Sequence, residues 1–220
     1  ADESTPDMSE YRRYYTNIVG KYGVQVKALL NKAQSLRISM ICPLHGLIWR
    51  KDIDNLIQKY AKWSAYEPEI KGVLIAYSSV YGNTQSAAEI VANRLGEQGV
   101  KNIQMYDVSV THPSYVVAEA FRYSHIVFAT TTYNGGIFVT MENLLLDLKA
   151  HNLQNRTVAL IENGTWAATA AGQIKNILSS MKGMNVIANP VTLKSSVKPE
   201  KRDELIALAD AICETLKKRY

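Results

Sequence analysis

Five short apolar runs alternate with helix-period segments from residue 72 to the end of the chain, and this alternation most constrains the fold. The runs fall at 72–77, 102–108, 125–130, 157–161 and 185–189. Each is strand-length and nearly continuous in its hydrophobicity, as a strand covered on both faces requires. Between them lie segments with apolar residues three and four apart, such as Ala87, Ile90, Val91 and Leu95 in 83–99. Further helices are expected at 113–123, 139–148 and 167–181, and the last begins near Pro199. Strand–helix alternation of this kind predicts an α/β domain with a doubly wound, five-stranded parallel sheet and right-handed crossovers. Such sheets bind ligands beyond the carboxyl ends of their strands, where the strand order reverses.

Residues 1–68 read differently. The first eight are polar and expected to fray. Tyr11, Tyr14, Tyr15, Ile18 and Tyr22 then recur at helical spacing, continued by Val26, Leu29 and Leu30, with Gly20 and Gly23 as expected kinks. Residues 38–41 read as a strand. A helix follows in which Asp52 is the expected N-cap and Ile53, Leu56, Ile57, Tyr60 and Trp63 form the apolar face. Two or three helices and one strand cannot close a sheet domain, so this part reads as a piece of something larger.

Charge and cysteine content narrow the function. The net charge is +5. It is spread evenly, with ten Lys/Arg against eight Asp/Glu in residues 1–70 and fifteen against twelve in the rest. No basic patch for nucleic acid emerges. No run approaches the roughly 18–20 apolar residues of a membrane span. Cys42 and Cys213 form neither a metal pattern nor a disulfide framework. With no secretory leader read at the start, a cytoplasmic setting is expected. His112, His125 and His151 read as structural or surface histidines. No Ser-His-Asp arrangement or carboxylate pair marks the strand ends, which disfavours hydrolysis.

The strand ends carry the chemistry. After the first strand come Ser78, Ser79, Val80, Tyr81, Gly82, Asn83 and Thr84, leading directly into a helix. Unpaired N–H groups and the helix dipole there suit a phosphate without any lysine or arginine. The loop lacks Gly-Lys-Ser/Thr and G-x-G-x-x-G, so it is neither a P-loop nor a dinucleotide fingerprint. After the third strand come Thr131, Thr132, Tyr133, Asn134 and Gly135, and after the fourth Asn163, Gly164, Thr165, Trp166 and Ala167. Adjacent glycines allow close backbone approach, and a loop tryptophan suits covering a planar ring. Together the loops predict a site for a mononucleotide with a large planar ring, such as FMN.

These loops resemble those of the flavodoxin-like fold. The whole chain is similar to the C-terminal portion of flavodiiron (A-type) flavoproteins. The resemblance rests on Tyr11-Arg12-Arg13-Tyr14-Tyr15-Thr16-Asn17-Ile18, Cys42-Pro43-Leu44-His45-Gly46-Leu47-Ile48-Trp49-Arg50 and Tyr60-Ala61-Lys62-Trp63-Ser64, followed by the three loops. It implies residues 1–68 as the end of a metallo-β-lactamase-like domain, mostly helical, and residues 69–220 as an FMN domain. It implies electron transfer from a donor such as a rubredoxin or a reductase to a diiron site that reduces oxygen or nitric oxide, in a homo-oligomer. His45 matches the last iron ligand of that family. The earlier ligands have no counterpart here, so His45 is expected to be an orphan and the diiron centre to lie outside this chain. Val80 departs from the hydroxyl residue that many flavodoxins place there. Two rival readings are a stand-alone flavodoxin or small FMN-dependent quinone reductase, and a cofactor-free interaction module on the same fold.

Overall fold

The computed structural model describes residues 8–218. The expectation that residues 1–8 fray falls outside this range except for Met8, which opens a helix. The N-terminal part is α1 (Met8–Tyr14), α2 (Gly23–Ala33) and α3 (Ile53–Ser64). Between α1 and α2 the backbone widens into one π-helical stretch, Tyr15–Val19, and tightens into a 3₁₀ turn, Gly20–Tyr22. The helix therefore changes winding at the expected glycines.

The rest is β1 (Ile70–Tyr77), α4 (Asn83–Glu97), β2 (Ile103–Asp107), α5 (Pro113–Arg122), β3 (Tyr123–Tyr133), β4 (Gly136–Ile137), α6 (Val139–Ala150), β5 (Thr157–Asn163), α7 (Ala170–Ser179), β6 (Asn185–Val186), β7 (Val191–Leu193) and α8 (Pro199–Lys218). The sheet order is β2-β1-β3-β5-β6, with β7 also on β5, and these pairings are parallel. The order reverses between β1 and β3, so the crevice opens there. Alternation along β1 divides the core. Leu74 and Ala76 face the layer of α5, α6 and α7, while Val73 and Ile75 face α4 and α8. Among the described residues no helix is long and apolar enough to cross a membrane.

The structure corrects four sequence expectations. Residues 38–41 form no strand; only Ile41 and Trp49 pair, in a single antiparallel bridge, because no neighbouring strand extends the ladder. The fifth strand is split into β6 and β7. Pro190 has no N–H to donate, and Ala188 sits at φ 58°, so pairing breaks between them. Asp52 precedes α3 but caps no backbone group; at φ 55° its carboxylate accepts instead from Asn55 Nδ2 at 2.8 Å. The α7 helix starts at Ala170 rather than near residue 167, because Gly164 lies against the Ala167 carbonyl and residues 165–169 stay open.

Candidate functional site: a cleft at the sheet's switch point

The loops after β1, β3 and β5 enclose a cleft of about 660 Å³, within the range of small-molecule sites. Fifteen of the seventeen loop residues expected at a site line it: Ser79, Val80, Tyr81, Asn83, Thr84, Thr131, Thr132, Tyr133, Asn134, Gly135, Asn163, Gly164, Thr165, Trp166 and Ala167. Ser78 and Gly82 do not. The Ser78 side chain is fully buried and shares a 2.7 Å hydrogen bond with Thr130, which ties β1 to β3 below the cleft. Gly82 turns the chain at φ 86° into α4, a conformation that favours glycine.

At one end of the cleft the helix start is open to an anion. The Ser86 N–H closes the first helical bond, to the Gly82 carbonyl at 2.9 Å, so the N–H groups ahead of it are those a helix start leaves unpaired. Thr84 Oγ1 lies 3.1 Å from Thr131 Oγ1, joining the first loop to the second. Ser79 Oγ is buried and has no partner among the described residues. A buried hydroxyl left this way is costly unless a ligand takes it.

The second loop is a tight hairpin. Asn134 at φ 50° and Gly135 at φ 74° make the two-residue turn between β3 and β4, and Tyr133 pairs antiparallel with Gly136. Asn-Gly is the residue pair such a turn selects. Sequence reasoning read the glycines only as freedom of approach. The hairpin is fastened to α7: Thr132 Oγ1 accepts from the N–H of Thr169 at 3.0 Å and of Ala170 at 3.3 Å. Gln173 Nε2 donates to the Gly135 carbonyl at 2.8 Å. The buried Glu162 carboxylate accepts from the Ala171 N–H and from Thr192 Oγ1, both at 2.8 Å, which fixes the start of α7.

At the other end the ring of Trp166 is 97% exposed, so local packing does not account for it. Tyr81 and half of Tyr133 are also uncovered. Among the described residues no charged side chain lines the cleft. At the end of β1 the pKa of the Tyr77 phenol is pushed up by burial and then by the Asp107 and Glu89 carboxylates. One lining residue escaped sequence reasoning. Ser195, just past β7, forms part of the wall. The first, third and fourth strand ends drew attention as the flanks of the expected switch point, and the fifth has no glycine or aromatic signal of its own.

His45 stands apart from this cleft. It is exposed, its ring 5.6 Å from that of Tyr14, and it lines a second cavity of about 510 Å³ with Glu10, Tyr11, Leu44 and Tyr60. Among the described residues no three His, Cys, Asp or Glu side chains gather to hold a metal. Residues present here do not fit a diiron centre, which needs several N and O ligands.

An open parallel sheet with hydroxyl-rich loops and a helix start at its switch point defines a flavodoxin-like domain. The chain belongs to the flavodoxin family, whose model matches residues 75–216. Family membership implies FMN as the cofactor. The orphaned Ser79 hydroxyl, the open helix start and the uncovered Trp166 fit it. The chain is 28% identical over 185 residues to the nitric oxide reductase of Moorella thermoacetica, covering 83% of this chain and 46% of that protein. Its fold matches rubredoxin oxygen:oxidoreductase from Desulfovibrio gigas with a TM-score of 0.87 at 24% identity, over 95% of this chain and 52% of that one. The flavodiiron protein of Giardia intestinalis matches with a TM-score of 0.83 at 21% identity, over 95% and 53%. The chain thus spans about half the length of each of these three proteins.

Proposed function

We propose that residues 69–220 are an FMN-binding electron-transfer domain, and residues 1–68 the end of a metallo-β-lactamase-like domain, within a flavodiiron-type oxidoreductase. The observation that carries the reading is the uncharged cleft itself, with an unpartnered buried hydroxyl at one end and a bare tryptophan at the other. Bound FMN would accept and release electrons one or two at a time. Everything else falls to the chain. Ser79, Tyr81, Asn83 and Thr84, with the backbone of residues 78–84, hold the phosphate. Val80 offers only its N–H there. Residues 131–135 line the ribityl chain and one edge of the ring. Residues 163–167 close the other edge, with Trp166 covering it and excluding water.

The N-terminal part supports the larger context. Ile18, Val24, Leu29, Leu36 and Leu44 are all at least 60% exposed, a surface that a further domain would bury. In that context His45 would be one ligand of a metal site whose other ligands this chain does not supply. Electrons would reach the flavin from a rubredoxin-type donor or a reductase, and a diiron site held elsewhere in a homo-oligomer would supply the reduction of oxygen or nitric oxide.

The test is a visible spectrum of the protein before and after loading with FMN and desalting. Retained flavin bands support the reading. A folded, colourless protein that takes up no FMN overturns it and favours the interaction module. Trp166→Ala should weaken FMN binding about tenfold while leaving unfolding by urea unchanged, since the ring packs on nothing. Turnover of a quinone with a nicotinamide donor would instead favour the small reductase.

A further inference from the structure

The fourth wall of the cleft holds an unassigned contact, and the inference from it rests on the flavin reading above. Ser195 follows β7 and adopts φ 66°, a left-handed conformation that costs a non-glycine residue energy. The residue is held there from both sides. The Asn163 side chain donates from Nδ2 to the Ser195 carbonyl and accepts at Oδ1 from the Ser195 N–H, both at 2.9 Å. Asn83 Nδ2, at the start of α4, donates to Ser195 Oγ at 3.4 Å. Ser195 therefore spans the gap between the loop that holds the phosphate end and the loop that closes the ring end. Its hydroxyl accepts from Asn83, so its own proton is free to donate into the cleft it lines.

We propose that Ser195 is a further flavin-binding residue, donating a hydrogen bond to the ribityl chain that joins ring to phosphate. Backbone strain supports a role in binding. Glycine would sit at φ 66° without strain, yet this position carries a hydroxyl. Asn163 acts as its positioning residue, by clamping both backbone groups of Ser195.

Three flavins locate the contact: FMN, riboflavin without the phosphate, and lumiflavin without the ribityl chain. Binding is read by quenching of flavin fluorescence. Ser195→Ala should weaken FMN and riboflavin by the same factor, about three- to tenfold for one hydrogen bond, and leave lumiflavin unchanged. Ser195→Gly should weaken flavin binding equally while raising resistance to urea, because strain is relieved as the contact is lost. A purely structural role would move both quantities in the same direction. Loss for FMN alone would place the contact on the phosphate and overturn the ribityl assignment. Equal loss for lumiflavin, or no loss for FMN in a protein that takes it up, would overturn the proposal. A folded wild-type chain that binds none of the three would overturn the flavin reading instead.

Discussion

The two parts of this chain are held by different forces. From Tyr66 onward, two apolar clusters fill the layers on either face of the sheet, and among the described residues none before Tyr66 joins either one. The N-terminal part has a small aromatic cluster of its own, in which the rings of Tyr15, Tyr60 and Trp63 lie 5.1 Å apart. It is fastened to the sheet domain mainly through buried polar groups. Arg12 reaches Glu69 at 3.4 Å and Glu119 at 3.0 Å. Trp63 Nε1 donates to Glu69 at 2.7 Å. The Tyr66 hydroxyl donates to the Gly20 carbonyl at 2.9 Å and accepts from Asn152 at 3.0 Å. Tyr66 is itself anchored on the sheet side by the fully buried Arg156, which donates to its carbonyl and to those of Ala120 and Phe121. Burial of apolar area is non-directional and tolerant, whereas a buried ionic seam fixes one geometry and fails sharply when a partner is lost. The sheet domain is therefore expected to hold its cleft when the N-terminal part is loosened.

Arg12→Met breaks this division most directly. It leaves the Glu69 and Glu119 carboxylates buried with Lys59 and Arg122 as remaining cations. The expected loss is roughly 3 kcal/mol. Hydrogen exchange should speed up in α1 and α2 while FMN uptake persists; loss of both together would show one cooperative unit. Gly23→Ala comes next. Its added Cβ would meet the Ser64 carbonyl oxygen at 2.5 Å and the Tyr66 ring at 2.9 Å, although φ −53° suits alanine. Steric separation of α2 from α3 should cost about 1–3 kcal/mol, read by urea unfolding.

Tyr15→Phe is the smallest change and has the opposite sign. The Tyr15 hydroxyl is buried with no partner among the described residues. Its removal should stabilise the protein at neutral pH by about 0.5–1 kcal/mol. Burial raises the pKa of Tyr15 and, less strongly, of Tyr60, with nearby tyrosines adding to both. A phenol whose folded pKa is raised contributes stability that is intact below the ordinary tyrosine pKa, about 10. Above it the unfolded chain ionises first and stability falls as pH rises. Burial raises the sheet-domain phenols Tyr77, Tyr106 and Tyr123 in the same direction, so the comparison is made within the N-terminal part. Tyr15→Phe should flatten its loss of exchange protection at alkaline pH, and an unchanged loss would count against the buried Tyr15 phenol as the cause.

The order of strands and helices was legible because apolar periodicity is a local property of the chain. So were the three loops, whose hydroxyls, glycines and tryptophan sit next to strand ends that the pattern locates. The Asn134-Gly135 hairpin was written in the sequence as well, in the turn chemistry of those two residues. Residues 38–41 misled, because a strand-like run becomes a strand only when a partner pairs with it. The split of the fifth strand followed from Pro190 and the left-handed Ala188, which periodicity does not register.

The sequence by itself determined the alternating architecture, the family and most of the cleft's lining. Only the tertiary structure decided which distant groups meet. Asn163 and Ser195 are 32 residues apart, and Asn83 and Ser195 are 112 apart. Arg12 and Glu119 are 107 apart. Local propensity carries no information about such pairs. The Arg12–Glu119 pair forms where α1 packs on α5. The Asn83, Asn163 and Ser195 contacts form because crossover handedness and strand register bring separate loops to one edge of the sheet, and there a serine without any local signal becomes part of the cleft wall.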